Sequence, residues 1–77
     1  MRDRLAIYSK ILKDNLAEQG CIFIMQKSEL ISRSLVLQFH HKQVPEQLIH
    51  KIVSGFKCTH MIQYGNDVVT ILLQEEI

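Results

Sequence analysis

The chain has 77 residues, the length of one domain near the lower limit at which a single hydrophobic core holds a fold without disulfides, a metal or a partner. Hydrophobic residues make up 47% and charged residues 22%, a balance that excludes intrinsic disorder. Nine Lys and Arg against eight Asp and Glu give a net charge of +1, which argues against a dedicated polyanion binder.

The first predicted element is an amphipathic helix over residues 2–19. Apolar residues recur at helical spacing and widen into a stripe on one side: Leu5, Tyr8, Leu12 and Leu16, with Ile7 and Ile11. Gly20 is predicted to end the helix, because glycine favours the backbone conformation found just beyond helix C-termini.

Two strands and a polar connection follow the helix. Residues 21–25 are all apolar and rich in β-formers, which predicts a strand covered on both faces. Residues 27–34 are polar and serine-rich apart from Leu30 and Ile31, which predicts a long hairpin loop. The second strand is predicted from Leu35 to about His40.

Pro45 fits the first turn of a second helix, and Glu46 suits the positive end of its dipole. Gly55 is predicted to end that helix. The predicted apolar face comprises Val44, Leu48, Ile49, Ile52, Val53 and Phe56, and the polar face comprises Glu46, Gln47, His50 and Ser54.

The last quarter of the chain predicts a β-hairpin. Gly65-Asn66 is a preferred two-residue turn between strands over about 57–64 and 68–74, with Gly65 at a positive φ. That turn sets the register by pairing Tyr64 with Asp67. The remaining predicted pairs are Ile62 with Val69, His60 with Ile71, and Cys58 with Leu73.

The sequence therefore predicts a single α+β domain over residues 1–77, with αββαββ order and a four-stranded, mostly antiparallel sheet packed with two helices. The second face of the hairpin is more apolar than a solvated face needs to be, so a cover is expected there, either helix one or a second copy of the chain. The residues of that face are Lys57, Thr59, Met61, Gln63, Val68, Thr70, Leu72 and Gln74.

No catalytic, cofactor or metal site is expected. Cys58 and His60 share a strand face, and His40 or His41 would approach them only if strands two and three were neighbours. The pattern Cys-x-His is not a zinc signature by itself. Cys21 and Cys58 lie in apolar strands, which favours neutral, buried thiols.

Location is predicted from the same features. Thiols without a leader segment are typical of a reducing compartment, so the cytoplasm is expected. The longest apolar run, residues 21–25, is too short to span a bilayer, so neither membrane insertion nor secretion is expected.

The leading hypothesis is a non-enzymatic cytoplasmic interaction module, a regulator or inhibitor that occludes the surface of a partner protein and that forms a homodimer. Leu30 and Ile31 are either tucked against a helix or displayed as an anchor for that partner. The candidate partner-binding residues are Leu30, Ile31, Met61, Val68 and Leu72.

The alternative hypothesis is a nucleic-acid-binding regulator, in which cations track phosphates while His40 or Tyr64 stacks on a base. The cations lie on one side of helix one, at the first hairpin loop and before helix two. They are Arg2, Lys10, Lys13, Lys27, Arg33 and Lys42.

Overall fold

The computed structural model describes residues 4–29, 31–40 and 46–75. The six elements confirm the α+β class and the αββαββ order. They are α1 (Arg4–Glu18), β1 (Ile22–Glu29), β2 (Ser34–His40), α2 (Glu46–Val53), β3 (Cys58–Tyr64) and β4 (Val68–Glu75). Neither helix of the described chain has the length and apolarity needed to cross a membrane.

The four strands form one antiparallel sheet in the order β1-β2-β4-β3. The chain is thus built from two successive αββ units that meet along the central strands β2 and β4. Leu37 lies opposite Ile71 at the middle of that seam. The strands β1 and β3 lie at the two edges of the sheet.

Both helices pack on the same side of the sheet. Every second residue of β2 and β4 is buried, and these side chains join the apolar stripes of α1 and α2 in one core. The most deeply buried members are Leu12, Leu16, Leu35, Leu37, Phe39, Ile49, Val53, Val69, Ile71 and Leu73. Helix one therefore does not cover the second face of the sheet.

The end of α1 follows the prediction. Gly20 has φ +84°, and its N–H donates to Ala17 O at 3.0 Å, while Cys21 N donates to Leu16 O at 2.9 Å. These two bonds satisfy carbonyls that the last helical turn leaves free. The predicted glycine stop is confirmed.

The polarity of α2 is also as predicted. Ile49 and Val53 are buried, Leu48, Ile52 and Phe56 are half-buried, and all four predicted polar-face residues are exposed. The helix ends at Val53, two residues before Gly55. Val44 and Pro45 lie outside the described residues.

The first strand differs from its prediction in length and in burial. β1 continues to Glu29, so the first three residues of the predicted loop are strand, and every residue of β1 is exposed. The prediction of a strand covered on both faces is wrong because β1 is an edge strand. A register shift between Phe23 and Met25 marks a β-bulge, a common feature of sheet edges.

The hairpin between β3 and β4 forms, but its register is two residues from the predicted one. Tyr64 lies opposite Val69, and Cys58 lies opposite Glu75. The turn centres on Asn66 and Asp67, and Gly65 N donates to Val68 O at 2.7 Å. The positive φ belongs to Asp67, at 61°, so the predicted role of Gly65 is wrong. Aspartate tolerates that conformation better than most residues, which permits the shifted turn.

Candidate interaction surface

The sheet face opposite the helices, called the open face here, is formed by the strand residues that alternate with the core. Because the register error is an even number of residues, every hairpin side chain stays on its predicted face. The open face comprises Ile22, Met25, Lys27 and Glu29 of β1, Ser34, Val36, Gln38 and His40 of β2, Val68, Thr70, Leu72 and Gln74 of β4, and Thr59, Met61 and Gln63 of β3.

An apolar row crosses the middle of this face. Val36 lies opposite Leu72, and Leu72 lies opposite Met61, so three apolar side chains from three strands are adjacent. Met61 is 55% exposed, and Val36 and Leu72 are half-buried. Together with Gln63 and Thr70 these residues line a shallow groove of about 170 Å³. Two of the predicted partner-binding residues, Met61 and Leu72, are therefore neighbours.

Polar residues beside the row form two side-chain hydrogen bonds within the sheet. Gln38 Nε2 donates to Thr70 Oγ1 at 3.3 Å, and Thr59 Oγ1 donates to Gln74 O at 3.1 Å. The parts of β2, β3 and β4 that form the open face include no Lys, Arg, Asp or Glu. On these three strands the face is thus free of Lys, Arg, Asp and Glu and has an apolar centre and a polar rim.

The other predicted partner-binding residues lie away from the apolar row. Val68 is half-buried at the end of the open face, opposite His40. Ile31 is 93% exposed in the turn between β1 and β2, so it is displayed and not tucked back. Leu30 lies outside the described residues.

Sequence reasoning missed a further apolar region, the first half of β1. Ile22 is 66% exposed, and Phe23, Ile24 and Met25 are also exposed. Phe23 contacts Phe39 edge to face with centroids 5.6 Å apart, and Lys13 Nζ lies 4.6 Å from the Phe23 ring centre. One feature of the sequence could have indicated that β1 is an edge strand. Lys27 lies in the polar continuation of the strand, and lysine is characteristic of edge strands.

The predicted nucleic-acid residues that the structure describes lie in different places. Lys10 pairs with Asp14 at 3.4 Å on the exposed side of α1, and Lys13 covers the Phe23 ring. Lys27 lies on the open face of β1, on the other side of the sheet, and Arg33 lies in the β1–β2 turn. Arg2 and Lys42 lie outside the described residues.

The histidines do not meet as the metal hypothesis required. Strand β4 separates β2 from β3, so His40 is not beside Cys58 and His60. The His60 ring instead lies 5.9 Å from the His50 ring, and His50 Nε2 is 3.4 Å from Glu46 Oε1. Residues 4–29, 31–40 and 46–75 contain no group of three or more potential ligands arranged for a metal. His41 lies outside these ranges.

The pKa values of two side chains, Cys21 and Tyr64, are raised above their ordinary values. Burial raises the pKa of the Cys21 thiol. Burial, and then the nearby Glu46 and Cys21, raise the pKa of Tyr64. The Cys21 thiol is therefore held in its neutral, weakly nucleophilic form, as expected of a packing residue.

A second cleft, of about 220 Å³, lies between the first turn of α1 and the turn that joins β1 to β2. Its charged residues are Glu29, Arg33 and Glu75. Ser9, which is buried, donates to Gln26 Oε1 at 2.7 Å on one wall.

Comparison with protein-family models, with curated proteins and with solved structures found no match to this chain.

Proposed function

We propose that this protein is a small, non-enzymatic protein–protein interaction module that acts as a regulator or inhibitor by covering a surface of its partner. The docking surface is the open face, centred on Val36, Met61 and Leu72. In this proposal the protein acts in the cytoplasm, where thiols such as those of Cys21 and Cys58 stay reduced.

The observation that carries the proposal is the chemistry of the open face. The apolar row has uncharged, hydrogen-bonding neighbours on β2, β3 and β4, and Lys27 lies beside Val36 at its β1 end. This arrangement resembles a protein interface, whose apolar centre is poor in charge and rich in methionine and whose rim is polar. The row spans three hydrogen-bonded strands of one sheet, so binding does not incur the entropy cost of ordering a loop.

The same chemistry defines the partner. The open face has no Lys or Arg on β2, β3 and β4, and Lys27 of β1 adds one cation. It therefore offers little to neutralise phosphates, which dominate the affinity of nucleic-acid binders. It complements an apolar protein surface whose rim offers hydrogen-bonding groups to Gln38, Gln63 and Gln74. A protein partner is therefore favoured over the nucleic-acid alternative, whose described cations are dispersed on α1, β1 and the first turn.

The test begins with capture from lysate of the native cell, using the wild-type chain, Met61→Lys and the control Gln74→Lys. Gln74 is exposed at the rim of the same face, so the control adds the same charge outside the apolar row. A protein captured by the wild type is then purified, and its affinity for all three chains is measured by calorimetry at low and high salt.

The proposal expects a direct complex that Met61→Lys weakens about tenfold or more and that Gln74→Lys and salt change little, since burying an unpaired charge is costly. A complex that Met61→Lys leaves intact contradicts the proposal. Capture of nucleic acid with a steep loss of affinity in salt supports the alternative.

A further inference from the structure

The outer edge of β1 has no neighbouring strand in the described chain. β1 pairs with β2 on one side only, and all eight of its residues are exposed. An edge strand of this length presents unpaired N–H and C=O groups on which another chain can add a strand.

The hydrogen bonds of the sheet show which backbone groups face outward. Glu75 N donates to Arg33 O at 3.0 Å, so the Arg33 carbonyl points toward β4. The next N–H, that of Ser34, points the opposite way across the trans peptide, toward β1. Ser34 pairs with Glu29, and backbone direction alternates along a strand. The N–H and C=O of Ser28 and Gln26 therefore face the free edge.

The bulge limits the part of the edge that can accept a strand. Register is irregular between Phe23 and Met25 and regular from Met25 to Glu29. Bulges twist an edge and interrupt pairing, so added strands are confined to the regular segment.

The regular segment is complementary to itself. Lys27 and Glu29 share the open face and flank Ser28. An antiparallel pair centred on Ser28 places each Lys27 opposite Glu29 of the second copy, and the two Ser28 residues exchange both of their backbone bonds. Centring the pair on Lys27 opposes two like charges, and centring it on Gln26 places Ser28 against the bulge.

We infer that two copies of this chain pair antiparallel along β1, centred on Ser28, and join their sheets into one of eight strands. The dimer is isologous, since each copy contributes the same segment. The apolar rows of both copies stay uncovered and face the same side of the joined sheet, so this inference does not depend on the proposed function.

The first test compares Ser28→Pro with Ser28→Ala by sedimentation equilibrium of the untagged chain. Proline removes an N–H that faces the free edge, so no bond to β2 is lost, and proline is tolerated on edge strands. Wild type and Ser28→Ala are expected to dimerise, whereas Ser28→Pro dimerises at least about tenfold more weakly. Circular dichroism verifies that each variant folds.

The second test uses charge and remains decisive if Ser28→Pro unfolds. Lys27→Glu and Glu29→Lys each place like charges in opposition, so each variant alone is expected to be monomeric. Their equimolar mixture restores two attractive pairs and is expected to form a heterodimer, as is the chain that carries both changes. Lys51→Glu, on α2, changes the net charge equally and is expected to leave the dimer intact.

A wild-type chain that stays monomeric at high micromolar concentration overturns the inference. So does a dimer that persists in both charge variants, or one that is lost in Leu72→Lys and kept in Lys27→Glu, because the interface is then elsewhere.

Discussion

The ring of Tyr8 on α1 stacks on the ring of Phe56, which follows α2, with centroids 4.2 Å apart and planes 12° from parallel. Tyr8 Oη also accepts a hydrogen bond of 3.0 Å from Lys57 N. These contacts join the two αββ units on the helix side, as β2 and β4 join them within the sheet.

Tyr8→Ala is therefore expected to lower the free energy of unfolding by about 2–3 kcal/mol, because it removes the stacked ring and the acceptor together. Tyr8→Phe keeps the ring and is expected to cost no more than about 1 kcal/mol. Urea denaturation measures both, and equal losses for the two variants would contradict a role for the stack.

The turn of the second hairpin gives another stability test. Asp67→Val is expected to cost about 1–2 kcal/mol, because a β-branched side chain is strained at φ 61°. Gly65→Ala is expected to be nearly neutral, since its new Cβ meets Val68 O at an ordinary 3.6 Å. Thermal melts that rank the two variants in the opposite order would place the positive φ at Gly65.

The end of α1 is tested by Gly20→Ala. A Cβ at this position meets no atom within 4 Å, so the only penalty is the backbone conformation at φ +84°. The expected loss is about 1 kcal/mol of unfolding free energy, measured by urea denaturation. Ala17→Gly is the comparison variant. It destabilises the same helix before its end through helix propensity alone.

Stability is expected to fall at alkaline pH. The pKa of Cys21 is raised in the folded state above its ordinary value of 9.0, so the folded protein binds the thiol proton more tightly than the unfolded chain does. The contribution of the protonated Cys21 thiol to the free energy of unfolding is complete below about pH 9, and it is lost as the pH rises through the folded-state pKa. Urea midpoints between pH 7 and pH 10 measure this loss, and Cys21→Ala is expected to show a shallower decline.

Thiol labelling provides an independent measurement of the same environment. Cys21 is buried and Cys58 is half-buried, so iodoacetamide is expected to modify Cys58 first. Mass spectrometry of partly labelled protein identifies the site, and faster reaction at Cys21 would contradict the packing described for it.

Local patterns in the sequence predict much of this fold. The stop at Gly20, the apolar face of α2 and the alternation along β3 and β4 depend on neighbours a few residues apart, and the structure follows them. The open-face positions of Met61 and Leu72 follow from that alternation, which an even shift in register preserves.

The remaining features depend on contacts between distant parts of the chain. The exposure of β1 is set by its place at the edge of the sheet, and a run such as Ile22–Met25 has the same composition in a covered strand. Strand order depends on the pairing of β2 with β4, which joins residues as far apart as Ser34 and Gln74. The side of the sheet that carries α1 follows from the same nonlocal packing.

The most direct test of the docking face is methyl and amide NMR of the labelled chain, titrated with the purified partner protein. If the partner docks on the open face, the largest changes are expected at the methyl groups of Val36, Met61 and Leu72 and at the amides of β2 and β4. Changes confined to the surroundings of Lys10, Lys13 and Arg33, with an unperturbed open face, would contradict it.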